Sequence, residues 1–210
     1  MCIEDASQAF GSLYNNTKAG NKSDVSTYSF FPTKNLGAYG EGGAILTNNL
    51  NIYKKCLELR NWGINFKFNQ LSFNYRMVEI SAAILIRKLR WINEGIEERI
   101  NIADYYKKNL NLSEDSITRF EKKFTHSYHI FGILVKNRDK YLKNSKKYGI
   151  EFRSHYPYYL PNIKVYKKYN NIKYFLNSNR VSKKVLSLPI YPGLTKQEMK
   201  FVVNKLNQLI

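Results

Sequence analysis

Asp5-Ala6-Ser7-Gln8-Ala9 and, about one α/β unit later, Ser29-Phe30-Phe31-Pro32-Thr33-Lys34-Asn35-Leu36-Gly37-Ala38-Tyr39-Gly40-Glu41-Gly42-Gly43-Ala44 decide how this chain reads. The apolar Cys2-Ile3 ends abruptly in Glu4-Asp5, which predicts the C-terminal end of a buried parallel strand. Ligand groups in open α/β sheets gather at that end of the strands, so Asp5 stands where a functional acid belongs. Residues 25–30 are β-branched and aromatic and are stopped by Pro32, which predicts a second strand. Glycines at 37, 40, 42 and 43 permit a tight turn before a third strand at 44–47. A carboxylate at one strand end is thus followed by a lysine in the turn after another.

Farther along, Asn15, Asn16, Gly20 and Asn21 mark a loop, and Ile52, Cys56 and Leu59 give 49–61 helical spacing. Residues 78–110 form the strongest helical region, with Ala82, Leu85, Leu89, Ile92 and Ile96 at core spacing and Gly95 as the expected bend or boundary. Strands are expected at 128–135 and 186–190, and a helix at 138–148 stopped by Gly149. Thr195 is the expected cap of a last amphipathic helix reaching Leu209. An α/β alternation followed by a smaller α+β part predicts two domains, 1–95 and 96–210.

The chain has 210 residues, 43% hydrophobic and 24% charged, which is ordinary for a globular protein with a core of its own. It contains no run of 18 apolar residues, so no membrane partner is expected. Glu4 and Asp5 sit where a signal peptide would need a basic start, so none is expected. Cys2 and Cys56 lack metal-type spacing and read as reduced core thiols of a cytoplasmic protein. His126 and His129 lie three apart with no third ligand in sight, so no metal site is expected. The net charge of +18 raises a nucleic-acid reading. The lysines are spread through the whole chain beside abundant Asn, Ile, Tyr and Phe, which share A/T-rich codons. Tyr156-Pro157-Tyr158-Tyr159 could stack bases, but no single-strand-binding motif accompanies it, and no nucleic-acid partner is expected. A basic surface would still attract an anionic small molecule.

Lys34 taken alone is one lysine in a lysine-rich chain, and Asp5 taken alone is a turn carboxylate. Their setting is more specific. A polar strand end beside small glycines gives an amine a short route to an aldehyde, and burial would lower its pKa toward the nucleophilic form. A lysine to form a Schiff base and an acid to hold a pyridine nitrogen protonated are what pyridoxal phosphate (PLP) chemistry requires. The order and wording of these segments resemble the DegT/DnrJ/EryC1/StrS family of PLP-dependent nucleotide-sugar aminotransferases. Asn74-Tyr75-Arg76-Met77 with Glu79 and Ala82-Ala83, then His155-Tyr156-Pro157 and Leu186-Ser187-Leu188-Pro189-Ile190-Tyr191-Pro192, resemble it in the same order.

The resemblance implies an α/β fold of the aspartate aminotransferase-like fold type I, here the C-terminal part of the large domain plus a small α+β C-terminal domain. It implies PLP as cofactor, Lys34 as the Schiff-base lysine that also carries the proton between donor α-carbon and cofactor, and Asp5 as partner of the pyridinium nitrogen. Gln8 would reach the cofactor ring or its phenolic oxygen, or be a surface glutamine. Ser29 would bind the cofactor phosphate. Asn74 would reach across a homodimer interface toward the partner's cofactor phosphate, or be an ordinary residue at a helix N-terminus. His155 would stand near the substrate. Gly40-Glu41-Gly42-Gly43 has neither Walker nor dinucleotide spacing and reads as a turn. Lys34 argues against the dehydratase branch, where histidine stands. The implied substrates are an amino donor, glutamate, and a nucleotide-linked keto-deoxy sugar, with a product destined for surface polysaccharide or a glycosylated metabolite. Family members carry a further long segment before the strand with Asp5, including a Gly-Thr phosphate cradle and an aromatic that stacks on the ring. Neither can be assigned here, so an exposed sheet edge is expected. The competing expectations are a non-catalytic truncated remnant, or a subunit needing a separate N-terminal half.

Overall fold

The computed structural model describes residues 1–63, 70–117, 121–169 and 174–210. The chain forms two units, 1–97 with 120–129, and 98–119 with 130–210. In the first, β1 (Ile3–Asp5) is followed by a hairpin of β2 (Leu13–Tyr14) and β3 (Thr17–Lys18). Its turn residues, Asn15 and Asn16, adopt left-handed φ values of 46° and 60°. Asparagine tolerates that region, and a two-residue turn of this hand matches the twist of the paired strands. β4 (Val25–Ser29) runs parallel to β1 with Thr27 opposite Asp5. β5 (Gly43–Leu46) returns antiparallel with Gly43 opposite Ser29, giving the order β1-β4-β5.

Nothing among the described residues pairs with the outer side of β1, so this strand is an edge and not buried. Ile3 is 63% exposed. Cys2 is correspondingly exposed and Cys56 half-buried; both are free thiols, but neither belongs to the core.

α1 (Leu50–Arg60) starts at Asn49, whose side-chain oxygen accepts the N–H groups of Asn51 and Ile52. The helical region expected at 78–110 is two helices, α2 (Glu79–Leu89) and α3 (Ile92–Asn109). The break falls at Arg90 and Trp91, whose N–H groups bond back three residues to Arg87 and Lys88 and tighten the last turn of α2. Gly95 lies inside α3, its N–H bonded to Trp91 in the regular four-residue pattern. One glycine costs a helix only about 1 kcal/mol, too little to break it here. Of the residues expected at core spacing, Leu85 and Ile96 are buried while Leu89 is exposed. β6 (Phe124–Thr125) then joins β2 in the first unit.

The second unit is built on β7 (Phe131–Leu134), shorter than the strand expected at 128–135. The helix expected at 138–148 is divided into α4 (Arg138–Lys143) and α5 (Ser145–Tyr148). At the division, the Asn144 side chain donates to the Lys140 carbonyl, and Gly149 closes α5 at φ 68°. α6 (Leu176–Lys184) leads into β8 (Val185–Leu188), antiparallel to β7 and buried throughout. α7 (Lys196–Leu209) opens with a capping box, Thr195 bonding the Glu198 N–H and Glu198 the Thr195 N–H. Tyr106, Ile133, Leu186 and Leu206 are fully buried in this core, each contributing about 1.5–3 kcal/mol by leaving water. Its buried polar groups are paired: Arg99 donates to the Ile190 carbonyl at 2.8 Å and Tyr106 to that of Pro189 at 2.9 Å.

Candidate active site

Asp5 ends β1, and its carboxylate is folded back onto the turn that follows. The Ser7 N–H donates to Asp5 Oδ1 at 3.0 Å and the Ser7 hydroxyl donates to the same oxygen. This is an Asx-type turn, the usual device by which a strand-end acid orders the next residues. Ser29 ends β4, half-buried, with its hydroxyl accepting the Phe31 N–H at 3.3 Å.

Lys34 stands in a loop closed at its base by one residue. Phe30 donates to the Gly42 carbonyl at 2.7 Å and accepts from the Ala38 N–H at 2.8 Å, while the Lys34 N–H bonds to Phe31 at 2.9 Å. The loop is tied down from inside. Leu36 and Ala38 are buried against Leu85 of α2, with Phe10, Phe30, Met77 and Ile92 packed around them. Lys88, one helical turn beyond Leu85, donates to the Gly37 carbonyl at 2.5 Å. Asn35 donates to the Ser127 carbonyl at 3.0 Å. Gly37 leaves no room for a side chain, since a Cβ would lie 2.2 Å from the Pro32 carbonyl oxygen. Lys34 is therefore mounted on a braced turn, and its own side chain is half-buried.

The two ionisable groups act on each other. The Ser7 hydroxyl and N–H hold Asp5 below its ordinary 3.8; slight burial opposes this and the Lys34 charge adds to it. Burial lowers the Lys34 amine from its ordinary 10.5, and the Asp5 charge pulls it back up. An ionised carboxylate and an amine eased toward its neutral form thus share one corner of the first unit, at the ends of neighbouring strands.

The remaining expected residues are distributed differently. Gln8 is exposed, three residues past Asp5. Asn74 is exposed, accepts from Arg76 Nε at 3.0 Å and forms an isolated bridge with Asn61. It lies five residues before α2, whose N-cap is Val78, so it is not a helix-terminal residue, and it makes no hydrogen bond to Asp5, Ser29 or Lys34. His155 belongs to the second unit, where its Nδ1 shares a hydrogen bond of 2.8 Å with the buried Ser187 hydroxyl. Among the described residues, no group of three or more His, Cys, Asp or Glu could hold a metal ion. No helix of the described residues is long and apolar enough to cross a membrane. Ser7, Asn35 and Lys88 were missed by the sequence reading. Ser7 carried a signal, because serine two residues after a strand-end aspartate is the donor an Asx turn needs. The other two act over 92 and 51 residues and leave no local trace.

The sequence profile of the DegT/DnrJ/EryC1/StrS aminotransferase family matches residues 1–207. The chain belongs to this family. Among curated relatives, it is 35% identical over 212 residues to the pleiotropic regulatory protein of Geobacillus stearothermophilus. It is 33% identical over 208 residues to dTDP-3-amino-3,6-dideoxy-alpha-D-galactopyranose transaminase of Aneurinibacillus thermoaerophilus. Each alignment takes in 98% of this chain and 57% of the relative, so the chain spans little more than half the length of these DegT-family proteins and corresponds to their C-terminal part. DesV from S. venezuelae superposes with a TM-score of 0.90 at 26% identity, covering 99% of this chain and 57% of DesV. The PLP form of Spr1654 from Streptococcus pneumoniae shares the fold at a TM-score of 0.86 and 20% identity. The architecture is that of fold type I transferases, and DegT-family aminotransferases are PLP-dependent. The donor set at the strand ends fits such a cofactor: an ionised acid, an amine of lowered basicity, and a strand-end hydroxyl.

Proposed function

We propose that this chain carries the lysine half of a PLP-dependent aminotransferase that moves an amino group from glutamate to a nucleotide-linked keto-deoxy sugar. The supporting observation is the charge-coupled pair of Asp5 and Lys34 at neighbouring strand ends, on a loop braced from within. When bound, PLP supplies an aldehyde for the amine and a ring that accepts electrons from the donor's α-carbon. Asp5, kept anionic by Ser7, holds a proton on the ring nitrogen. Lys34 Nζ would take the proton from the donor α-carbon and deliver it to the cofactor. Burial lowers its basicity and so favours the free-amine form that the transfer needs. Gln8 would orient the ring, and the Ser29 hydroxyl would donate to the phosphate. Asn74 would complete the phosphate site of a second copy, which makes the enzyme a homodimer. His155, its ring fixed by Ser187, would face the sugar nucleotide. The surplus of positive charge favours an anionic substrate of this class. The setting is cytoplasmic amino-sugar synthesis for surface polysaccharide.

A second reading is a non-catalytic remnant, or a subunit that works only with a polypeptide supplying the rest of the family's large domain. The exposed edge of β1 favours it. The test is amino transfer from glutamate to a nucleotide-linked keto-deoxy sugar, with product identified by mass and the chain assayed alone and with the N-terminal part of a family member. Product that disappears with Lys34→Ala supports the enzyme reading. Its appearance only in the mixture supports the subunit. No product in either case supports the remnant.

A further inference from the structure

We propose that Lys88 of α2 is a positioning residue for Lys34, holding the loop that carries it in one orientation through the Gly37 carbonyl. The inference rests on Lys34 as the amine that takes the cofactor, and it adds the group that orients that amine. Lys88 stands three residues after Leu85, so the two side chains leave α2 on the same side. Leu85 packs on Leu36 and Ala38, which brings the Lys88 stem over the residue between them. Its Nζ donates to the Gly37 carbonyl at 2.5 Å and lies 5.5 Å from the centre of the Tyr39 ring.

This contact differs from ordinary packing in two ways. A lysine commonly keeps its ammonium in water or beside an acid, whereas Lys88 is half-buried and has no carboxylate partner among the described residues. The burial of Leu36 and Ala38 fixes the depth of the loop but not its rotation, because hydrophobic contact has no direction. A charge-assisted hydrogen bond has one. Gly37 is three residues past Lys34, in a turn closed by the Lys34 N–H on the Phe31 carbonyl and the Ala38 N–H on that of Phe30. Asn35 supplies a second directional tie, donating to the Phe10 and Ser127 carbonyls. With both ties made, the turn has one rotation and the Lys34 stem one exit. Lys88 acts here through the main chain, since the influences on the Lys34 amine are burial first and the Asp5 charge second. Freed from Gly37, the turn can roll Lys34 toward water.

The test is acetylation of the purified chain across a pH series without PLP, with Lys34 followed by peptide mass spectrometry. In Lys88→Met, which removes the donor and keeps the stem, the Lys34 midpoint should move upward toward 10.5. The shift should persist in about 1 M salt, where charges are screened beyond ~3 Å, as the loss of a charge alone would not. Lys88→Arg, which keeps a charged donor, should stay closer to the parent. Asn49→Ala, which removes the α1 cap in the same unit, should lower stability and leave the midpoint in place. Circular dichroism checks that each variant is folded, and Lys88→Ala gives the same reading should Lys88→Met not fold. An unchanged midpoint in the folded variant, a shift abolished by salt, or an equal shift in Lys88→Arg or Asn49→Ala would overturn the positioning role. No cofactor is present, so a midpoint shift stands even if the chain transfers no amino group. Conversely, a selective PLP adduct on Lys34 with its midpoint indifferent to Lys88→Met would overturn this role and leave the aminotransferase reading intact.

Discussion

Lys34 sits between two opposed influences, and separating them is a test of the site. Burial lowers its pKa and Asp5 raises it, so removing the Asp5 charge should lower it further. Asp5→Asn should shift the midpoint for acetylation of Lys34 downward; an unchanged or raised midpoint would show that the two groups do not interact. The linkage has a definite sign. Between the lowered Lys34 value and 10.5 the unfolded chain binds more protons, so this group's contribution to stability rises with pH across that window. Asp5 behaves in the opposite range. Its stabilisation is complete above about 3.8 and is lost as pH falls through its depressed folded value. Ser7→Ala removes the largest cause of that depression. The Asp5 carboxyl resonance should then titrate closer to 3.8, and a titration identical to the parent's would remove Ser7 from the site.

At the scale of elements, the Lys34 loop depends on Gly37 more than on any glycine with an unusual backbone. A Cβ there meets main-chain oxygen and has nowhere to move, so Gly37→Ala should lower stability by about 1–3 kcal/mol in denaturant unfolding. Thr195→Ala, which removes half of a capping box in the second unit, should cost about 0.5–2 kcal/mol. Unfolding midpoints equal to the parent's would contradict each. β4, β5, α1 and α7 were legible because periodicity, a proline stop and side-chain caps are local signals. The division of 78–110 was not, because Gly95 is an obvious breaker in sequence while the real break depends on how Arg90 and Trp91 bond backward. β2, β3 and β6 are two residues each, too short for any pattern, and only Asn15-Asn16 hinted at the hairpin. In the site, Asp5, Ser29 and Lys34 could be read from strand ends and family wording. The brace formed by Asn35, Leu85 and Lys88 could not, since it exists only once distant segments meet.

For the whole molecule, the dominant facts are a net charge of +18, a span of 57% of the length of the relatives named above, and an edge at β1 that is unpaired among the described residues. With so many lysines exposed, PLP will react weakly with several of them at high concentration, and selectivity is therefore the informative quantity. The decisive measurement is incubation of the chain with PLP, alone and with the N-terminal part of a family member, followed by borohydride reduction and peptide mass spectrometry. One dominant phosphopyridoxyl adduct on Lys34, lost in Lys34→Ala while minor sites persist, is the expected result. Diffuse labelling of surface lysines under both conditions, with Lys34 no more reactive than the rest, would contradict a cofactor site built on Asp5 and Lys34.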